Sequence, residues 1–242
     1  MNINQVGDGN VKEKYYVRRI LHKGISKEQM SDSLFNSAFL AFSGGLQDAY
    51  TYNTRDGVFS NAQTGNVVLM SQYFMEGKWQ QGIRYLFPLL AFMLGVLVAE
   101  NIQNRFQNTK HFHWRQWILL VEIGLLAIVG FIPQNHNLIA TSLVSFTCAM
   151  QVQSFRKLGG YAYATTMCIG NLRSGTEALS VFMRNRNREQ LKKVGYYFGV
   201  IFLFAVGAGI GGMLSIRYGI PVIWISCAML CVSFFLIFIE KE

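Results

Sequence analysis

The sequence predicts an all-α integral membrane protein, a polytopic helical bundle of two related halves, and three observations predict it. Apolar residues make up 51% of the chain and aromatic ones 14%, against 14% charged, a balance too hydrophobic for an ordinary globular surface. The apolar residues gather into stretches of about 18 or more, the length that crosses a hydrocarbon core. The cations behind the net charge of +9 flank these stretches instead of lining one soluble face.

Residues 1–33 carry Lys12, Lys14, Arg18, Arg19, Lys23 and Lys27 and no apolar core of the kind a secretory signal needs, so no cleavable signal is expected. Val11, Tyr15, Tyr16, Ile20 and Leu21 among those charges fit either a short amphipathic helix on an anionic membrane face or a solvated tail. Clear spans follow at roughly 34–53, 83–104, 115–132, 137–155, 194–216 and 220–239. Two more stretches, 57–76 and 161–183, are long enough to cross but hold polar clusters: Asn61, Gln63, Thr64 and Asn66 in one, Asn171, Arg173, Ser174 and Glu177 in the other. Trp79, Trp114, Trp117 and Trp224 fall near span ends, as interfacial tryptophans do.

Several function classes find no support. No Walker loop, GxSxG turn or HExxH helix occurs, and no nucleophile stands beside a base, so the chain is not expected to be an enzyme. Cys148, Cys168, Cys227 and Cys231 lie in apolar segments without metal spacing, and His111 and His113 flank Phe112 in a loop. No metal or cofactor is expected. Nucleic acid is not an expected partner, because the cations serve topology.

An internal repeat bears on the architecture. Ala41-Phe42-Ser43-Gly44-Gly45-Leu46-Gln47 lies over Ser145-Phe146-Thr147-Cys148-Ala149-Met150-Gln151, and one inserted residue later Gly65-Asn66 falls on Gly170-Asn171. The chain accordingly divides into a basic cytoplasmic segment 1–33, a first membrane half 34–134 and a second half 135–242. With eight full spans the halves run parallel. With 57–76 and 161–183 re-entrant, each half has three spans plus one polar hairpin, and the second runs inverted. The six-span arrangement obeys the positive-inside rule better and places two hairpins face to face near the midplane. Backbone broken at that depth needs protein or a water-filled cavity to satisfy it, so a cavity is the expected site.

Gly45-Leu46-Gln47-Asp48-Ala49-Tyr50, Gly57-Val58-Phe59 and Asn61-Ala62-Gln63-Thr64-Gly65-Asn66 resemble the YoaK family of bacterial membrane proteins. Gln151-Val152-Gln153-Ser154-Phe155-Arg156, Thr165-Thr166 and Gly170-Asn171-Leu172 are similar to that family's second motif. The resemblance covers nearly everything after residue 33 and implies a protein of unknown function with about six spans, transporting only by analogy. Ile169 departs from the pattern, since a threonine there would match Thr64-Gly65-Asn66.

The candidate binding residues are the polar groups of these motifs: Gln47, Asp48, Tyr50, Asn61, Thr64, Gly65, Asn66, Gln151, Gln153, Thr166, Gly170 and Asn171. A carboxylate in hydrocarbon costs roughly 2.5–3.5 kcal/mol, so Asp48 must face protein, water or a cation, or be protonated. It reads either as a proton- or sodium-coupling group or as an interfacial acid bonded to its neighbours or to Arg55. The glycines permit unusual backbone at a hairpin break, and Asn66 and Asn171 offer both donor and acceptor to a polar ligand; helix contact and capping explain them equally well. Arg173 and Glu177, four apart, suit an ion pair or gate, and Glu122 is a second proton-carrier candidate. Gly195/Gly199 and Gly207/Gly211 have the spacing for close helix contact, within the monomer or in a homodimer.

The expected function is a small secondary transporter or facilitator for a small polar or ionic solute, multi-pass in the bacterial cytoplasmic (inner) membrane with its N-terminus cytoplasmic. The alternatives are a non-transporting scaffold or sensor, and a passive channel.

Overall fold

The computed structural model describes residues 34–107 and 114–239. The basic N-terminal segment 1–33 and the loop histidines His111 and His113 lie outside the described residues.

Eight α-helices make up almost all of the described chain: α1 (Leu34–Thr54), α2 (Gln63–Met75), α3 (Trp79–Phe106), α4 (Trp114–Val129), α5 (Asn137–Ser154), α6 (Cys168–Asn185), α7 (Arg188–Tyr218) and α8 (Ile223–Ile239). The all-helical expectation is departed from at one small place. Lys157–Leu158 pairs antiparallel with Tyr161–Ala162 around Gly159 and Gly160, whose positive φ angles of 55° and 83° make the tight turn.

Helix directions follow from the contacts. Going up α1, Phe42, Leu46 and Ala49 meet Gly207, Gly211 and Gly212 of α7 in turn, so the two helices run parallel. Gly95 of α3 lies against Phe146 and Ala149 of α5, and Glu100 bonds Gln153, so these two are also parallel. Helix α8 runs against α1: Ser226 Oγ donates to the Ser43 carbonyl at 3.3 Å, and Ser233 bonds Asn36. It also runs against α4, since Trp224 Nε1 donates to the Ala127 carbonyl at 3.2 Å while Cys227 reaches back to Ile123. Helix α5 returns beside α4, with Arg115 Nε on the Ser154 carbonyl at 2.9 Å. Thus α1, α4 and α7 point one way and α3, α5 and α8 the other. The stretch between α1 and α3, which contains α2, begins and ends at one end of the bundle. The stretch containing α6 begins and ends at the opposite end.

Among the described residues, three helical stretches, Trp79–Phe106, Arg188–Tyr218 and Ile220–Ile237, are long and apolar enough by themselves to cross a membrane. Helices α1 and α5 are more polar because they are central. Asn36, Ser37, Ser43, Gln47 and Asp48 of α1 and Thr141, Ser145, Thr147 and Gln151 of α5 are all buried. Leu40, Leu46, Leu119, Leu126, Val144, Ile223 and Leu230 fill the apolar core among α1, α4, α5 and α8. The outer helices α3 and α7 turn Leu90, Met93, Leu94, Leu97, Phe202 and Met213 outward, the arrangement a lipid surroundings requires.

Candidate functional site

Beyond Thr54 the chain leaves α1 and folds back along it. Asp56 and Gly57 make the turn, both with positive φ, at 63° and 72°. By Asn61 the chain has returned to the middle of α1: the Asn61 backbone N–H donates to Asp48 Oδ1 at 2.7 Å, and its side-chain Nδ2 to the Gly44 carbonyl at 2.9 Å. Ser60 Oγ adds a bond to the same Asp48 oxygen at 3.1 Å. Helix α2 starts there, so its first turn sits at the depth of Asp48.

The second polar segment is built alike. From Phe155 the chain passes through the small β-turn to Thr166, whose methyl group presses on Gly44, and α6 then begins at Cys168. One asparagine organises each return. Asn66 accepts from the Phe59 N–H at 3.2 Å and donates to the Phe59 carbonyl at 2.6 Å. Asn171 makes the same two bonds to Ala164, at 3.2 and 2.6 Å. In both, the asparagine bridges the backbone of the residue seven before it, holding the incoming strand against the first turn of the helix.

Both helix starts open on one cavity of about 670 Å³. Asp48, Asn61, Thr64, Thr166, Gly170 and Asn171 line it, six of the candidate binding residues, together with Gln63 and Ser174 of the polar clusters. Phe92, Phe204, Met167 and Ile169 supply apolar wall. Neither helix has a side-chain N-cap, the cap positions being Ala62 and Met167. In α2 the N–H of Gln63 is taken by the Asn61 carbonyl and that of Gly65 by Ala62, while Thr64 N–H has no acceptor. In α6 the Asn171 N–H reaches the Met167 carbonyl, and the amides of Cys168, Ile169 and Gly170 have no acceptor. Unpaired N–H groups at a helix start carry the positive end of the helix dipole.

The other candidates lie elsewhere. Gln47 donates to Ser43 Oγ at 3.1 Å, and Gln151 to the Leu40 carbonyl at 3.3 Å, both inside the bundle. Gln153 bonds Glu100 at the end of the bundle, where Arg156 also approaches that carboxylate at 3.6 Å. Tyr50 is fully buried against Arg55. Gly65 packs near Phe59 in the first turn of α2, Gly170 in the first turn of α6 faces open space, and neither has a positive φ. The left-handed glycines are Gly57, Gly77, Gly159, Gly160 and Gly219 instead. Arg173 and Glu177 are both exposed on α6 and no ion pair joins them.

Residues 37–236 match the family described as "Protein of unknown function (DUF1275)". The chain belongs to this family. It is similar to the UPF0700 transmembrane protein YoaK of Bacillus subtilis (strain 168), with 25% identity over 202 residues, covering 80% of this chain and 88% of that one. No solved structure matches it. The chain is therefore a membrane protein of the YoaK/DUF1275 family, and the family brings no established activity with it.

Sequence reasoning passed over several residues of this DUF1275 site. Ser60 holds Asp48, and Phe92 and Phe204 shape the cavity, but an aromatic in an apolar span and a serine in a loop carry no separate signal. Arg55, proposed as an ion-pair partner for Asp48, turns the other way. It is completely buried and donates to Tyr50 Oη, Asn137 Oδ1 and the Val129 carbonyl, each at 3.0 Å. It thereby ties the end of α1 to the α4–α5 connection. Glu122 is equally buried in α4, with Gln47 as a polar neighbour.

Proposed function

We propose that this DUF1275 protein is a small secondary transporter or facilitator for a small polar or ionic solute, and not an enzyme. One observation carries the reading: two uncapped helix starts and a buried carboxylate line a single cavity at mid-depth of a membrane bundle. In transporters, discontinuous helices supply such ends at the midplane, and their dipoles and freed backbone groups bind the solute. The volume of about 670 Å³ is in the range of small-molecule sites.

The helix directions support an inverted repeat of six crossings. Helices α1, α3 and α4 read up, down and up, while α5, α7 and α8 read down, up and down, with α2 and α6 as the re-entrant arms. The paired asparagine bridges support common ancestry of the halves, because each joins the same two atoms across the same separation. Such halves can rock against each other around a fixed site, giving alternating access. The protein resides in the bacterial cytoplasmic membrane with its N-terminus inside, where the positive-inside rule places residues 12–27.

Asp48 is the coupling residue in this reading. Its Oδ1 accepts from Ser60 Oγ and from the Asn61 N–H, and the position 104 residues on is Val152, so one carboxylate serves both halves. The test is flux in proteoliposomes. With an internal pH dye and a proton or sodium gradient, solute-driven movement should be present in the wild type and lost in Asp48→Asn, while that variant still inserts and elutes as a single species. Undiminished ion-driven flux in Asp48→Asn would remove Asp48 from the coupling role. Absence of flux for every solute class would favour a scaffold.

A further inference from the structure

The polar groups around the cavity include two opposite kinds, backbone donors and side-chain acceptors. Donors without acceptors come from the backbone: the amides of Thr64 at the start of α2 and of Cys168, Ile169 and Gly170 at the start of α6. Acceptors come from side chains. Asn61 is only 5% exposed, and its Oδ1 has no hydrogen-bond partner while its Nδ2 is spent on Gly44. Beside it stands the Asp48 carboxylate, 7% exposed and lining the same cavity, which accepts from Ser60 Oγ and the Asn61 N–H. A buried acceptor left unpaired costs about 1–3 kcal/mol, so Asn61 is arranged for a donor that the chain itself does not provide.

A simple anion would satisfy the amides and be repelled by Asp48. A simple cation would satisfy Asp48 and Asn61 and face the positive ends of two helices. Phe92, Phe204, Met167 and Ile169 supply an apolar part of the wall that suits hydrocarbon, beside the polar side chains of Gln63, Thr64, Thr166 and Ser174.

Resting on the transport reading of the same site, we infer that the solute is a small zwitterion with an apolar body. Its carboxylate lies on the free amides of α2 and α6, its ammonium on Asp48 and Asn61, and its side chain between the phenylalanines. The class is that of a neutral, apolar α-amino acid. Both charged poles are needed, because each neutralises the element that would repel the other alone.

The experiment uses the full chain in lipid nanodiscs and compares three probes that share one body: L-leucine, 4-methylpentanoate, which lacks the amine, and 3-methylbutylamine, which lacks the carboxylate. L-phenylalanine, 3-phenylpropanoate and phenethylamine form a second set. Binding is read by titration calorimetry and by thermal stabilisation. At least one zwitterion should bind about tenfold more tightly than both of its truncated partners, since each loses one charge-assisted contact. Asp48→Asn should weaken the zwitterion and leave the carboxylate-only probe unweakened.

If a carboxylate-only or an amine-only probe binds as tightly as its zwitterion, or if no zwitterion in either set binds, the inference is overturned. The wild-type comparison decides this even where Asp48→Asn fails to fold. Zwitterion binding without flux in proteoliposomes would overturn the transport reading alone. Flux of another solute without zwitterion binding would overturn this inference alone.

Discussion

Asn66 and Asn171 show how far a residue type can be read without its path. Their amide groups mark them in the sequence as ligand donors, yet each spends its Oδ1 and one Nδ2 hydrogen on the backbone of a single earlier residue. The chemistry of the side chain is legible; its partner seven residues back depends on the loop's course, which no periodicity records. Asn66→Ala and Asn171→Ala should each destabilise by about 1–3 kcal/mol, because each strands a partly buried backbone N–H and carbonyl. Thermal unfolding in nanodiscs should show similar losses for the two, and wild-type stability in either variant would mean that the bridge does not hold its hairpin. Arg55 is a second case. Arg55→Lys should unfold at a lower temperature than wild type, since one ammonium cannot reproduce a planar fork reaching Tyr50, Val129 and Asn137 together. An unchanged melting temperature in Arg55→Lys would show that a point charge suffices there.

At the level of elements, all six clear spans of the sequence coincide with helices, because continuous apolar runs leave the backbone no partner in lipid except itself. The polar segments 57–76 and 161–183 resolve into a returning stretch of mostly irregular chain followed by α2 or α6. Their helix starts were legible only as a cluster of asparagine, threonine and glycine. The glycine stripe of α7 was legible as close packing, but not which member packs on what. Gly207 and Gly211 meet Phe42 and Leu46 of α1, whereas Gly195, Gly199 and Gly209 face open space. Gly45 in α1 is the reciprocal contact, where an added Cβ would strike the Phe204 carbonyl. Gly45→Ala and Gly207→Ala should therefore lower stability by about 1–3 kcal/mol through separation of α1 and α7. Gly195→Ala and Gly209→Ala should be neutral or gain up to about 1 kcal/mol from helix propensity. The ordering of the four melting temperatures checks the assignment, and equal losses at Gly195 and Gly207 would contradict it.

For the whole molecule, the decisive property is the side of the membrane reached by each hairpin tip. Gln80 lies in the first turn of α3 and Arg188 in the first turn of α7, both exposed and both just beyond a polar segment. If α2 and α6 re-enter, the two tips emerge on opposite faces, because three crossings separate them. If both segments cross, four crossings separate the tips and they share a face. Single cysteines at Gln80 and Arg188, in a background freed of Cys148, Cys168, Cys227 and Cys231, should therefore differ. In intact cells with a cytoplasmic N-terminus, an impermeant maleimide should label Gln80→Cys and spare Arg188→Cys, with permeabilisation exposing the second. Protection of both in intact cells would mean eight crossings and parallel halves. The helix starts of α2 and α6 would then no longer approach one cavity from opposite faces, and alternating access would lose the symmetry that lets either side open onto the same Asp48.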